Sequence, residues 1–170
     1  LKTEVVGKRF WERVAASKGF APTKLRTSLP SLDAGGVNVL LSAIHVPEKQ
    51  LRDDCWLINP VSWFTPGLAK ALKGDPFEVT CSMISGFEQA VAEANKHVSG
   101  RKAVFAHSRS ELEQALVDPA RPVILLHAVE GAHSLGGSVD NLRTLIYRGV
   151  CLLTLAHFYP NGISPPVAGV

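Results

Sequence analysis

VILLHAVEGAHSLGGSVDNLRTLIYRGVCLLTLAHF, residues 123–158, decides the fold. Val123 to Val129 is a run of strand length that is apolar on both faces, and it is cut off by Glu130. Glu130 is followed at once by Gly131, His133 and the pair Gly136–Gly137, the composition of a turn. SVDNLRTLIYRG (138–149) then places Val139, Leu142 and Leu145/Ile146 on one side of a helix, and VCLLTLAHF (150–158) reads as another buried strand. A strand, a helix and a strand, with both strands apolar all round, make a parallel unit with helices packed on the sheet.

The same alternation continues upstream. Gly35–Gly36 precede VNVLLSAIHV, a β-branched and aliphatic strand that Pro47 ends. From Gly86 to His97 the positions Phe87, Ala90, Val91 and Ala94 follow the i, i+3, i+4, i+7 spacing of an amphipathic helix. KAVFAHS (102–108) is a short strand, and in SELE (110–113) Ser110 is expected to cap the next helix with Glu113 reaching back to it. The proline-bearing stretch 47–85 is too long for a plain crossover and predicts an extra helix near Pro66–Lys73. Residues 1–30 read as a basic helix and an irregular approach to the first strand.

The fold class is therefore α/β, with about four parallel strands and helices, as an open doubly wound sheet or a (β/α)8 barrel. Both architectures place their sites at the carboxyl ends of the strands. The polar residues follow that rule: His45, His107, Glu130 and His157 each fall at or close to a strand end.

Composition bounds the function. The 170 residues are 46% hydrophobic and 19% charged, enough to build a packed core. The net charge of +3 is spread along the chain without a like-charge block, so neither nucleic acid nor an anionic membrane is an expected partner. Cys55, Cys81 and Cys151 are odd in number and lie in no metal-finger spacing, which points to a reducing, cytoplasmic setting. No apolar run has the length of a membrane span. GxGxxG, GxxxxGK[ST], GxSxG and HExxH are all absent, which leaves nucleotide binding, serine hydrolysis and the common zincin pattern without support.

Glu130 and His157 remain. By strand alternation Glu130 shares a face with Ala128 and Leu126, and His157 shares one with Leu155 and Leu153. If those faces look into a barrel, the carboxylate and the imidazole meet at its mouth; otherwise Glu130 caps a turn and His157 is a hydrogen-bonded core residue. His127 alternates to the helix side, as a packing residue. His133 either orients Glu130 or serves the turn, His45 and His107 line a pocket or end loops, and His97 complements a helix C-terminus.

The segment VEGAHSLGGSVDNLRTLIYRGVCLLTLAHFYPN resembles the membrane (renal) dipeptidase family of zinc metallopeptidases, peptidase family M19, within the amidohydrolase-like barrels. Val129–Ser134, Leu142–Arg143, Gly149–His157 and Asn161 fall on the family pattern without a gap, and residues 29–48 resemble its upstream strand. The resemblance covers about residues 8–165 and implies a partial (β/α)8 barrel, with residues 1–170 as its N-terminal and central portion in a single domain. It implies zinc-dependent hydrolysis of dipeptides or small amides at a site of two Zn2+ ions. Glu130 matches the carboxylate that bridges the metals, and His157 the residue that contacts substrate and steadies the tetrahedral intermediate. A homodimer is the implied assembly.

The family's HxD or HxH strand, its two later histidine ligands and its substrate-binding arginine have no counterpart here. The chain is thus expected to be a fragment lacking the first and last barrel strands, inactive alone, with half of an apolar interior exposed. The alternative is a non-catalytic relic or assembly module without a metal site.

Overall fold

The structure, a computed structural model, describes residues 27–54 and 66–165. Cys55 and residues 1–26 of the expected basic helix lie outside the described residues. Four parallel strands form one sheet: β1 (Val39–His45), β2 (Ala103–Phe105), β3 (Val123–Glu130) and β4 (Val150–Thr154). Among the described residues the helices are α1 (Leu29–Ala34), before β1, and, between the strands, α2 (Lys49–Asp54), α3 (Pro66–Lys73), α4 (Pro76–Ala94), α5 (Arg109–Val117) and α6 (Val139–Tyr147). A parallel sheet alternating with helices is the architecture of part of a (β/α)8 barrel. The extra helix falls where the proline pattern put it, at Pro66–Lys73.

Strand order departs from simple succession. β3 pairs with the whole length of β1, Val39 opposite Ile124 through His45 opposite Glu130. Its other edge is shared: β2 covers Val123–Leu125, and β4 covers His127–Glu130. The short β2 therefore lines only the first part of β3, and β1 and β4 flank the strand end that carries Glu130.

The sequence places β4 one residue out of phase. A register shift between His127 and Ala128 sets Val150 opposite His127 but Leu152 opposite Ala128, a β-bulge at Cys151. Leu153 therefore packs with Val129 against the helices, and Leu152 and Thr154 share the face of Ala128 and Glu130. β4 also stops at Thr154, so His157 is not a strand residue.

Local chemistry explains the helix limits. α4 begins well before Gly86 because Asp75 caps it, accepting from the Phe77 and Glu78 N–H groups, with Pro76 in its first turn. α5 is capped by Ser108 rather than Ser110: Ser108 Oγ accepts from the Glu111 N–H. Glu113, the expected partner of Ser110, is taken by Arg109 Nε at 2.7 Å. α1, in the stretch read as irregular, is closed by a reciprocal Ser28/Ser31 capping box.

The core lies on the helix side of the sheet. Ile44, Val129 and Leu145 bury against Ile84 of α4, while Val123, Leu125 and Ala103 bury against Val91 and Leu32. Each fully buried Val, Leu or Ile is worth roughly 1.5–3 kcal/mol of transfer free energy. At the sheet's opposite end from Glu130, Arg101 donates to the carbonyls of Val37 and Pro122, tying the starts of β1 and β3 together.

Candidate active site

The carboxyl ends of β1 and β3 are in register, so His45 and Glu130 stand side by side. His45 Nδ1 donates to the Glu130 carbonyl oxygen at 3.3 Å. After β4 the chain turns back over this edge. The Gly131 N–H donates to the Thr154 carbonyl, and Asn161 Nδ2 holds the Leu155 carbonyl while Asn161 Oδ1 accepts from the Ile163 and Ser164 N–H groups. That turn delivers His157 to the site: its Nε2 lies 3.3 Å from Glu130 Oε1, and its ring centroid 4.3 Å from that of His45.

Behind His157 sits a residue the sequence reading missed. Glu48, directly after Pro47, is only 2% exposed, and its Oε1 lies 3.3 Å from His157 Nδ1 while accepting the Phe158 N–H at 3.1 Å. Burial by itself would raise the Glu48 carboxyl. Backbone N–H donors from Glu48 and Phe158, with His133 and His157 nearby, outweigh it and hold the group below the usual carboxylate range. Glu48 therefore remains an anion, and His157 stands between it and the more open Glu130.

His133 occupies the 3-10 turn Ala132–Leu135 and donates from Nε2 to the Val46 carbonyl at 2.6 Å. It ties the loop after β3 to the end of β1 and does not hydrogen-bond the Glu130 carboxylate. Gly131 makes the turn possible: its φ is +96°, and a Cβ there would lie 2.3 Å from the His133 ring.

The remaining histidines lie elsewhere. His127 is fully buried on the helix side, as alternation predicts, with its Nε2 3.0 Å from Glu88 Oε1 of α4. His107, past the end of β2, lies 3.2 Å from the same oxygen. Burial holds the His127 imidazole below its ordinary pKa despite the Glu88 contact, so the ring is neutral. For Glu88, burial works upward, but the hydrogen bonds from His127 and His107 prevail and lower it. His97 pairs with Glu93 on the surface just past the end of α4.

The first cluster can hold a cation. Because His45 Nδ1 donates to a carbonyl, its Nε2 bears a lone pair when the ring is neutral, and that lone pair faces Glu48 Oε2 at 3.8 Å. Glu48 Oε2 and His157 Nδ1 are buried without a well-aligned hydrogen bond. The donor atoms of His45, Glu48 and His157 all lie within 4.8 Å of one another. Two imidazoles and a carboxylate are a donor set suited to zinc.

A parallel α/β sheet with imidazoles and carboxylates gathered at the carboxyl ends of its strands defines the class: the site-bearing end of a barrel-type α/β protein. The Membrane dipeptidase family (peptidase family M19) matches residues 6–165, and the chain belongs to this family. No curated protein matches the chain. Among the described residues, no helix is long and apolar enough to cross a membrane.

Proposed function

We propose that this chain supplies catalytic groups for zinc-dependent hydrolysis of dipeptides or similar small amides, with Glu130 as a metal ligand and His157 as the substrate-side imidazole. The observation that carries the reading is the approach of His157 Nε2 to Glu130 Oε1 at 3.3 Å, on strand ends of a chain from a peptidase family. Glu130 is 40% exposed and so open to a ligand, whereas His157, at 18%, is held from behind. Zinc with Glu130 as a ligand would supply Lewis acidity and a water of near-neutral pKa, with His45 and Glu48 as the further imidazole and carboxylate at this strand end. The residues do the rest. Glu48 Oε1 stands at His157 Nδ1, which leaves Nε2 turned to the open side; with the ring protonated at both nitrogens, the Nε2–H can donate to the oxygen of a developing oxyanion. His45, fixed by the Glu130 carbonyl, closes one wall. A cytoplasmic setting, inferred from the cysteine pattern, belongs to the same proposal.

The test is hydrolysis of small dipeptides with and without a chelator. Chelation should abolish turnover, and Glu130→Gln and His157→Asn should each lower kcat/KM by at least about 100-fold, the scale of losing one electrostatic contact to the transition state. Unchanged turnover in Glu130→Gln overturns the metal role.

A second reading, a non-catalytic module that assembles with another copy, is supported by the sheet face opposite the core. There Val39, Leu41 and Leu152 are 40%, 49% and 45% exposed. A face of that kind is what a second chain would cover. Sedimentation that shows a homodimer, together with no chelator-sensitive hydrolysis, favours the module over the enzyme.

A further inference from the structure

On the helix side of the sheet, away from Glu130, three elements converge on one point. Glu88 comes from the middle of α4, His127 from β3, and His107 from the loop after β2. Glu88 Oε1 lies 3.0 Å from His127 Nε2 and 3.2 Å from His107 Nε2, and the three donor atoms all lie within 4.8 Å of one another. Tetrahedral zinc with ordinary bonds spaces its donors about 3.3 Å apart, so the two Glu88 contacts need to open by only a few tenths of an ångström, with the Nε2 protons that bridge to Glu88 released or moved to Nδ1.

We propose that Glu88, His107 and His127 form a second cation site, taking one divalent transition-metal ion of the zinc class. The rings are aimed before any ion arrives. His127 is fully buried and stacked on Phe105 at 4.7 Å and 21°, and Phe105 in turn stacks on His107 at 6.0 Å and 21°. Behind His107, Glu111 Oε2 accepts the His107 backbone N–H at 2.8 Å and stands 3.5 Å from His107 Nδ1. A carboxylate at the far nitrogen is the usual partner of a metal-bound imidazole, because it keeps the proton on Nδ1 and the lone pair on Nε2. Glu88 and His107 are 33% and 39% exposed, so an ion can enter from solvent and keep a water as its fourth ligand. One opposing charge is near: Arg148, which donates to the Cys81 carbonyl and Ser85 Oγ on the preceding turns of α4. The Glu111 carboxylate offsets it. Two imidazoles and one carboxylate favour zinc, cobalt or nickel over calcium or magnesium. Bound there, the ion would pin α4 and the β2 loop to β3, a structural role independent of peptide hydrolysis.

Metal titration of the full chain tests this, with Co2+ and Zn2+ as the probes after chelator treatment. In a His45→Gln, Glu130→Gln, His157→Asn background, which removes three donors of the strand-end site, the chain should still bind one equivalent. The cobalt form should show the visible absorption of a four-coordinate site. His107→Gln and Glu88→Gln should each weaken that binding more than about tenfold, and Glu111→Gln by about tenfold, as expected when a carboxylate behind a ligand is lost. Circular dichroism identifies variants that stay folded. In the otherwise unaltered chain, His107→Gln should lower bound zinc by one equivalent. Loss of all binding in the strand-end variant, or binding that His107→Gln and Glu88→Gln leave unchanged, overturns the site. Neither outcome depends on dipeptidase activity.

Discussion

The two histidine–glutamate clusters are built in opposite ways. At the strand ends the carboxylate is the buried partner, with Glu48 at 2% exposure and the imidazoles of His45 and His157 toward the edge. On the helix side the imidazole is the buried partner, with His127 at 0% and the Glu88 carboxylate toward the edge. Each buried group is kept in a definite charge state by different means. Backbone N–H groups surround Glu48 and keep it ionised, whereas His127 has mainly carbon around it and stays neutral. Burial alone therefore does not fix charge; the donors at the buried end do.

Removing the buried partner should break this contrast most strongly. Glu48→Ala leaves the Phe158 N–H and His157 Nδ1 facing an empty pocket and should destabilise the fold by about 3 kcal/mol in denaturant titration. Next in size is Gly149→Ala. Gly149 has φ +81°, and a Cβ there would lie 2.6 Å from the His107 backbone Cα, so His107 must shift. A loss of about 2 kcal/mol is expected, larger than for Gly131→Ala, where the new methyl meets only a side-chain ring. Urea unfolding of the two variants checks the order.

Acid separates the clusters further. The folded-state pKa of His127 is lowered, so the unfolded chain binds more protons and stability falls as pH drops below about 6.5. Glu48 and Glu88 are also lowered. Their contribution is complete above the unfolded value near 4.5 and is lost as pH falls through the folded one. Thermal unfolding against pH should show two declines. His127→Gln should remove the first, and Glu48→Gln should reduce the second. The smallest effect belongs to a pair outside both clusters: Arg109→Ala, which breaks the exposed contact with Glu113, should change stability by less than about 0.5 kcal/mol.

Much of this was legible in the sequence, and the failures have physical causes. The apolar runs gave the strands, and period-two alternation placed His127 on the helix side and Glu130 on the other. The same rule failed for His157, because a bulge at Cys151 shifts the phase of β4 and the chain leaves the sheet at Thr154. Glu48 was invisible because its partner, the Phe158 N–H, is 110 residues away; alone, an acid after Pro47 reads as solvated loop. Its position immediately beyond a strand end was the one available clue. Glu88 hid beside the apolar face of α4, next to Phe87. The adjacency of β1 and β3 could not be read either, since a three-residue β2 has the same apolar character as a full barrel strand.

His127 and Glu130 lie three positions apart on β3, and an odd interval along a strand sends two side chains through opposite faces. The clusters thus share one backbone in antiphase. Deleting one residue between them would make the interval even and bring both groups to the same side, so that one of the two clusters loses its member, whereas removing two would keep the antiphase and only shorten the strand. The parity of a three-residue step keeps the two sites apart.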